Sequence, residues 1–268
     1  VHGNLSNSIT VKVAEAVAVA ADFNGDGVAE VAMYSDGYWF IDINGNGRWD
    51  DDDLWAEMGS DEDIPVVGDW DGDGKDDIGR YGLQWPGDNK TLAQDPGLPD
   101  LANREVTKPK NVPPTRQLGA SRNRLMQTTA RGDVRADVVD HVFQYGRGQE
   151  VAVTGDFNGD GVDNIGTYQD GHWKLDTNGD GRISAGDQVV EFGQAGDIPV
   201  VGDFNGDGVD QIGVFRDGKW HLDTNGDLQQ DHLDQVFQLG TDGDQPIVGD
   251  FDGDGIDDIA VYQIKKAG

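Results

Sequence analysis

The sequence contains no cysteine and few basic residues, and both absences exclude classes of protein. Without cysteine, the fold uses neither a disulfide nor a thiol nucleophile. The 268 residues carry 20 Lys and Arg against 51 Asp and Glu, a formal net charge of -31, so nucleic acid and anionic membrane surfaces would repel the chain. No apolar run reaches the roughly 18 residues that a membrane-spanning helix needs. We therefore expect no nucleic-acid partner and no membrane insertion.

Helical periodicity is also missing, and in its place an acidic loop recurs five times. Each copy, which we call a primary loop, has oxygen-bearing side chains at positions one, three and five, counted from its first aspartate, and glycine at position six. This spacing suits a loop that curls around a hard cation, and glycine permits the sharp turn. The triplets are Asp22, Asn24 and Asp26; Asp69, Asp71 and Asp73; Asp156, Asn158 and Asp160; Asp203, Asn205 and Asp207; and Asp250, Asp252 and Asp254.

The primary loops recur at a fixed period. Their first aspartates are 47, 87, 47 and 47 residues apart, and 87 is one period plus a 40-residue insertion. Such a period is typical of units that bury their faces only against neighbouring units. Each repeat contains up to four short apolar runs separated by turns such as Asp217-Gly218. The pattern predicts an all-β fold, a five-bladed β-propeller of four-stranded antiparallel blades.

Aromatic residues recur in register with the loops. Recurrent aromatic side chains either pack between blades or form a platform on which sugars stack, and we favour packing. They lie at the ends of the first strands (Phe23, Trp70, Phe157, Phe204, Phe251), on the second strands (Tyr34, Tyr81, Tyr168, Phe215, Tyr262) and on the third strands (Trp39, Trp173, Trp220).

The fifth repeat is incomplete, because the chain ends soon after Tyr262. Residues 8–12 align with residues 236–240, an outer strand of the fourth repeat. We therefore expect an N-terminal strand to complete the fifth blade and close the ring, which would remove exposed sheet edges. A closed ring makes residues 1–268 a single domain. The chain has no initiator Met and no signal peptide, so we expect a monomeric piece of a larger protein.

A second class of loop lies between the third and fourth strands of three repeats. Oxygen-bearing residues stand at positions one, three, five and twelve, the side-chain ligand positions of a twelve-residue calcium loop. The three sets are Asp42, Asn44, Asn46 and Asp53; Asp176, Asn178, Asp180 and Asp187; and Asp223, Asn225, Asp227 and Asp234. The alternative is a set of solvated Asx-Gly turns. The third set has Leu228 where the glycine belongs, so it is the weakest metal candidate.

In the primary loops, position nine is expected to supply a further oxygen. It is Glu30, Asp77, Asn164, Gln211 or Asp258. The loops with Asn164 and Gln211 lose a charge there, so we expect them to bind a cation more weakly. The backbone carbonyl of position seven is a further candidate ligand.

The motif Asp-Phe-Asn-Gly-Asp-Gly followed by a strand resembles the FG-GAP or VCBS repeat. That resemblance implies calcium-bearing propeller blades like those of integrin α-chains and of large secreted bacterial proteins. It places Asp22, Asn24, Asp26 and Glu30, with their counterparts in the other four copies, on ligand positions for Ca2+. The second loops resemble dockerin calcium loops without the dockerin helices. The resemblance does not specify an activity.

Residues 83–133 interrupt the second repeat. They contain six of the nine prolines and eight Lys or Arg against five Asp or Glu. They replace the third strand and the second loop, and His141 to Gly146 resume the repeat. The insertion is either a basic strap across an acidic propeller or a ligand-binding loop, and we expect it to be dispensable for folding. Trp85, Arg104, Arg122, Arg124 and Arg131 are the residues to test.

No catalytic constellation stands out, because the five histidines share no spacing and carboxylates are too abundant to single out a pair. We therefore predict an extracellular or cell-surface binding or adhesion module that calcium stabilises, with a glycan or a protein as ligand. The alternatives are a structural spacer and a calcium-dependent polysaccharide lyase or hydrolase.

Overall fold

The structure is a computed structural model that describes residues 16–50, 53–57, 63–70, 72–81, 126–128, 134–135, 140–143, 150–179, 181 and 183–263. Every regular element within these residues is a β-strand, and together the strands form five sheets. The predicted all-β class is therefore confirmed for this part of the chain. In the same ranges, no helix has the length and apolarity to cross a membrane.

The strands follow the chain in this order: β1 (Val17–Ala21), β2 (Glu30–Ser35), β3 (Tyr38–Ile41), β4 (Leu54–Glu57), β5 (Ile64–Gly68), β6 (Asp77–Tyr81), β7 (Met126–Thr128), β8 (Val134–Arg135), β9 (Asp140–Phe143), β10 (Val151–Gly155), β11 (Asn164–Gln169), β12 (His172–Leu175), β13 (Gln188–Glu191), β14 (Ile198–Gly202), β15 (Gln211–Arg216), β16 (Lys219–Leu222), β17 (Gln235–Gln238), β18 (Gln245–Gly249) and β19 (Asp258–Tyr262). Each repeat begins with a first strand, namely β1, β5, β10, β14 or β18, that ends where a primary loop begins.

The third and fourth sheets contain the complete repeat. Strands β10 to β13 and β14 to β17 each form a four-stranded antiparallel meander. The tight turns between their second and third strands use an aspartate and a glycine that both have positive φ, 52° and 90° at Asp170-Gly171 and 52° and 80° at Asp217-Gly218. That geometry matches the right-handed twist of the flanking strands. Four strands per repeat is thus confirmed for these two sheets.

The other three sheets depart from the predicted four antiparallel strands. The first sheet is longer, because the hairpin β7–β8 pairs with β4 and extends it to six strands. By sequence, residues 126–128 belong to the insertion expected to be dispensable, and no pattern in them predicts this pairing. The second sheet has three strands, and the fifth has only β18 and β19 among the described residues. The N-terminal segment 8–12, predicted to complete the fifth sheet, lies outside the described residues.

Among the described residues the second sheet has no third strand, and its fourth strand pairs with a different partner. Strand β9 pairs in parallel with β6, with Tyr81 opposite Phe143. In a complete meander the fourth strand is antiparallel to the third and so has the same direction as the second. With the third strand replaced by the insertion, the fourth strand keeps its direction and takes the place beside the second. The predicted resumption of the repeat after the insertion therefore occurs, one strand position further in.

Apolar clusters join consecutive sheets. One cluster packs first-sheet residues on Ile78 of the second sheet, and further clusters join the second sheet to the third, the third to the fourth and the fourth to the fifth. Trp39, Trp173 and Trp220 are fully buried in them. Each lies against the aromatic residue of its second strand with ring centroids about 5 Å apart. The recurrent aromatic residues are therefore packing residues, as predicted, and each contributes a large apolar area.

The five first strands contact one another in cyclic order. Strand β1 contacts β5 and β18, β10 contacts β5 and β14, and β14 contacts β18. A cavity of about 260 Å³ lies between their C-terminal ends. Its lining includes Ala21, Gly68, Gly155, Gly202 and Gly249, the last residues of the five strands. The primary loops therefore gather at one end of the array, around one cavity.

Candidate metal centres

The five primary loops share one backbone conformation, which their first aspartate fixes. Its Oδ1 accepts a hydrogen bond from the position-four N–H at 2.7 Å in every copy. Its Oδ2 accepts one from the position-six N–H at 2.7 or 2.8 Å. The position-six glycines have φ between 80° and 84°, a region that glycine enters without steric cost. The loop is thus curled by its own first side chain.

Carboxylates converge within these loops. In the first, one oxygen from each of Asp22, Asp26 and Glu30 lies within 4.8 Å of the others, and Asp250, Asp252 and Asp254 meet the same criterion in the fifth. Every side-chain donor in these clusters is oxygen, the ligand that calcium and magnesium prefer. The donor set therefore fits a hard divalent cation. Asp71, a predicted ligand of the second loop, lies outside the described residues.

The position-nine side chain forms the buried floor of the loop. In the first loop, Glu30 accepts a hydrogen bond from the Phe23 N–H at 3.0 Å and meets the Asn24 amide at 2.5 Å. Gln211 makes the equivalent bond to the Phe204 N–H at 2.9 Å. Positions three and nine are thus in contact in the first loop. Asp77, Asn164 and Gln211 are buried in the same way as Glu30.

Like charges in the first loop need compensation. Burial, and after it the charges of Asp22 and Asp26, raise the pKa of Glu30 to about 8. Burial also raises the pKa of Asp69 and of Asp258 in their loops. Burial and neighbouring like charges favour the protonated carboxyl, and a cation beside it favours the carboxylate. A divalent ion would supply that charge, and Asp22, Asp26 and Glu30 are the residues that would hold it.

The second-class loops lie between the third and fourth strands of the first, third and fourth sheets. As in the primary loops, the first aspartate accepts a hydrogen bond from the backbone of its own loop. The Oδ2 atoms of Asp42, Asp176 and Asp223 accept a hydrogen bond from the position-six N–H at 2.6, 2.6 and 2.7 Å. The position-twelve carboxylate turns back and accepts a bond from the N–H of position nine, at 2.6 Å for Asp53, 2.5 Å for Asp187 and 2.8 Å for Asp234.

Positions three and twelve meet in two of these loops. The Asn44 amide donates to Asp53 at 3.4 Å, and the Asn178 amide donates to Asp187 at 2.9 Å. The Asn46 amide bonds instead to Asp50 at 2.8 Å, which the ligand pattern did not include. Asp180 lies outside the described residues. The structure thus brings together positions three and twelve of the 42 and 176 loops.

In the third of these loops, Leu228 takes the place of the glycine and adopts the backbone conformation of a glycine at that position. Its φ is 59°, compared with 72° for Gly47 and 65° for Gly181 at the same position. Its N–H still bonds to Asp223, so the loop keeps its conformation. Its side chain packs against the core cluster that contains Val190 and Phe192 of the third sheet. A left-handed non-glycine residue costs about 1–2 kcal/mol, which this packing offsets.

Position eight carries a contact that the ligand pattern does not predict. Asp210 accepts a hydrogen bond from the Asp156 N–H at 2.8 Å and returns its own N–H to the Asp156 carbonyl at 2.9 Å. We call this pair of bonds the carboxylate bridge. It links each primary loop to the loop of the preceding sheet, and Asp76, Asp163 and Asp257 form the same pair with Asp22, Asp69 and Asp203. The signal was visible, since position eight is Asp in four of five loops.

The fifth link lacks the carboxylate. Position eight of the first loop is Ala29, and its N–H still donates to the Asp250 carbonyl at 2.7 Å. In three of the other four links the preceding first strand ends in glycine, whereas β1, which precedes the link between Asp22 and Asp76, ends in Ala21. A Cβ added to Gly155 would lie 2.5 Å from the Asp210 Oδ2. Hydrogen bonds thus connect the five loops in cyclic order, with four carboxylate bridges and one plain backbone bond.

The four bridging carboxylates line the central cavity. Burial raises the pKa of Asp76 to about 7 and that of Asp257 to about 6, and neighbouring carboxylates add to both shifts. The pKa values of Asp163 and Asp210 are also raised well above their usual range, by burial and then by other aspartates of the cavity. The bridges are therefore sensitive to protonation near neutral pH.

Comparison with known proteins adds little to this picture. No family model matches the chain, and no curated protein matches it. Among solved structures, the chain is similar to an Agrocybe aegerita lectin that recognises non-reducing terminal N-acetylglucosamine. The identity is 16%, the TM-score is 0.42, and the match covers 93% of the present chain and 75% of the lectin chain. At this level of similarity, the lectin's ligand carries no argument about the present protein.

Proposed function

We propose that the protein is a calcium-stabilised binding or adhesion module, part of a larger extracellular or cell-surface chain, built on a five-bladed β-propeller. The observation that supports it most is the recurrence of one loop conformation with an all-oxygen donor set in five places. The cyclic contacts of the first strands support five blades. A bound calcium ion would supply positive charge to each loop, while the carboxylate bridges hold neighbouring loops at a fixed distance.

Calcium binding has a predictable energetic scale. Extracellular modules bind calcium with Kd values of about 10⁻⁴ to 10⁻³ M. At about 1 mM free calcium, eight independent sites would add roughly 3 to 11 kcal/mol to the free energy of unfolding. We expect a chelator to lower the melting temperature by tens of degrees, and calcium to restore it more fully than magnesium does. A melting curve indifferent to chelator would reject the metal hypothesis.

Single substitutions rank the two loop classes. Asp73→Ala removes a central ligand from a primary loop, and we expect calorimetry to count one calcium fewer. Asp227→Ala alters the second-class loop that contains Leu228, and its effect on stoichiometry should be smaller. Equal effects would contradict the ranking, while retained stoichiometry in both variants would argue against either loop as a site.

The fifth blade needs a further strand, and the exposure of its neighbour suggests a place for one. Phe237 and Leu239 of the fourth sheet are 36% and 39% exposed, whereas their equivalents Val190 and Phe192 in the third sheet are 7% and 1% exposed. The third-sheet pair is covered by the fourth sheet, but the fourth-sheet pair faces the side where the fifth sheet has only two described strands. We propose that the N-terminal segment fills this place and closes the propeller.

The second sheet supplies the register for that closure. There the strand that precedes the next repeat pairs in parallel with the second strand, with Ile78 opposite Asp140 and Tyr81 opposite Phe143. Transferred by the repeat alignment, this register puts Ser6 opposite Ile259 and Ile9 opposite Tyr262. The alternating residues Ile9, Val11 and Val13 have the period of a half-buried strand.

An aromatic cluster in the first sheet is our candidate ligand surface. Trp49 is 40% exposed and lies edge-on to Phe40 with ring centroids 5.4 Å apart, and Trp55 is paired with Phe40 across the strands. Tyr38, also exposed, is on the same face of β3. The third sheet has His172, Lys174, Ile183 and Val189 at the equivalent positions, so the cluster belongs to one repeat. Exposed aromatic groups of this kind serve as anchors in recognition.

The binding proposal is tested on a glycan array and by pull-down from extracellular proteins, each with and without calcium. We expect a calcium-dependent ligand whose binding Trp49→Ala weakens at least tenfold. Ile183→Ala, the same position in the third sheet, is the matched control and should leave binding unchanged. Absence of any ligand would favour the spacer, and product release from pooled polysaccharides would favour the enzyme.

A further inference from the structure

The residue at position three of the primary loops follows a rule within this chain. It is asparagine in the first, third and fourth repeats and aspartate in the second and fifth. The repeats with asparagine are the three that carry a second-class loop, beginning at Asp42, Asp176 and Asp223. An aspartate would bring more charge to a cation site, so charge alone does not explain the asparagine.

The structure gives a reason for asparagine. The Nδ2 groups of Asn24, Asn158 and Asn205 donate to the backbone carbonyls of Ile43, Thr177 and Thr224, at 3.3, 3.1 and 3.2 Å. Each of these carbonyls belongs to position two of the second-class loop, directly between the ligand positions one and three. A carboxylate has no N–H to donate, so aspartate cannot make this bond.

The other end of the same amide faces its own loop. The Oδ1 atoms of Asn158 and Asn205 accept the N–H of Asp160 and Asp207, both at 2.9 Å. Position three is also a side-chain ligand position in such loops. One planar amide therefore connects the oxygen cluster of the primary loop to the backbone of the second-class loop, 19 residues further along the chain.

We propose that the position-three asparagine couples calcium binding in the two loops of one repeat. This inference rests on the proposed calcium function. A cation on the Oδ1 side withdraws charge from the amide and strengthens its N–H as a donor. The stronger bond to Thr177 holds the backbone between Asp176 and Asn178 in its binding conformation. By linkage, calcium in the second-class loop strengthens binding in the primary loop by the same factor.

The third repeat offers the test. The amide resonances of Gly161 and Gly181 report the primary and second-class loops in an NMR titration with calcium. In Asn158→Asp we expect the midpoint of Gly181 to rise about 2- to 10-fold, the worth of one hydrogen bond. The Gly161 midpoint should not rise, because its loop gains a carboxylate. Asp252→Asn, in a repeat without a second-class loop, is the control and should leave the Gly181 midpoint unchanged.

The outcomes separate the two proposals. An unchanged Gly181 midpoint in Asn158→Asp, with normal calcium binding, would reject the coupling and leave the calcium function standing. If neither resonance moves with calcium in the parent protein, the calcium function itself fails. If Asn158→Asp does not fold, Asn24→Asp with Gly47 as the reporter repeats the test in the first repeat, where an unmoved Gly47 midpoint would again reject the coupling.

Discussion

Two junctions of the array differ in their polar contacts: the one between the third and fourth sheets, and the one between the fifth and first sheets, which we call the closing junction. Each contains the same type of backbone hydrogen bond between neighbouring primary loops, but the contacts around that bond differ. At the junction between the third and fourth sheets, Asp210 forms a carboxylate bridge with Asp156. There, Leu228 also packs against the apolar cluster that includes residues of the third sheet. At the closing junction, Ala29 makes the backbone bond to Asp250 without a carboxylate. The Tyr262 hydroxyl accepts the Ala18 N–H at 3.2 Å, and no described strand lies beyond β19 in the fifth sheet.

This difference teaches where the array is weakest. Four junctions are made between segments close in the repeat order, and each has the same bridge. The closing junction is made between the two ends of the described chain, and it has no carboxylate bridge. We expect the molecule to open there first, and changes made at the closing junction and at the others test this expectation.

The largest effect is expected from removing residues 1–15. If that segment closes the ring, its loss uncovers Phe237 and Leu239 and removes the burial of Ile9 and Val11, which would contribute about 1.5–3 kcal/mol for each of these two side chains. Hydrogen exchange should then show loss of protection in β18 and β19 before β10 to β17. A shortened protein that melts like the parent would show that another element closes the ring.

Two glycine substitutions test the difference between a bridged junction and the closing junction at single positions. Gly155→Ala would put a Cβ 2.5 Å from the Asp210 carboxylate and 2.6 Å from Val201, so we expect a loss of about 1–3 kcal/mol in the free energy of unfolding. At the closing junction, the Cβ of Gly249→Ala would have one atom closer than 3 Å among its nearest neighbours, the Ala29 Cβ at 2.8 Å. This substitution should therefore lower the free energy of unfolding by less. Equal losses in denaturant titrations would remove the distinction between the two junctions.

Protonation should act on the bridged junctions through Asp76 and Asp257, and Glu30 in the first loop should add to the same pH dependence. The pKa values of Asp76 and Asp257 are raised to about 7 and about 6, above the value near 3.9 of an unfolded aspartate. The folded state therefore binds more protons between these values, and its stability falls as pH rises from about 4 to 7. We expect this slope in melting curves recorded with chelator, and a shallower one in Asp76→Asn. A slope that Asp76→Asn leaves intact would assign the pH dependence to other carboxyls.

The smallest effect is expected from the insertion. Replacing residues 84–124 with a short Gly-Ser linker keeps β7 and its pairing with β4. Longer loops cost little closure entropy, so the melting temperature should change by only a few degrees. Replacing residues 84–132 also removes β7, and its extra loss measures the contribution of that strand. An unfolded protein from the shorter replacement would make the insertion an integral strap.

The repeat made much of the fold predictable from sequence. The 47-residue period located the first strands, the Asp-Gly turns located the hairpins, and the recurrent tryptophans located the core. Pairing of β7 with β4 was not predictable, because three residues carry no periodic signal and their partner belongs to another repeat. The parallel β6–β9 pair follows from the insertion in place of the third strand, and the sequence shows that insertion. Only the structure shows that β9 then lies beside β6.

The candidate sites were predicted through their ligands, and the residues around the ligands were missed. Position eight was overlooked because a calcium loop assigns it no role, although its aspartates form the bridges. Asparagine at position three was treated as equivalent to aspartate, because both offer an oxygen to a cation. Their difference lies in the N–H, and its acceptor 19 residues away becomes visible only when Thr177 and Thr224 are placed.

The hydrogen bond between Ala18 and Tyr262 has a mechanical consequence. It joins the first and the last strand that the structure describes. If a larger protein pulls on both ends, the load passes through the closing junction, together with the strand that we propose residues 6–13 add to the fifth sheet, and the other four junctions lie outside the force path. The closing junction would then yield while the calcium loops of the inner repeats stay intact, so the module would act as an extensible link that reseals when the tension is released.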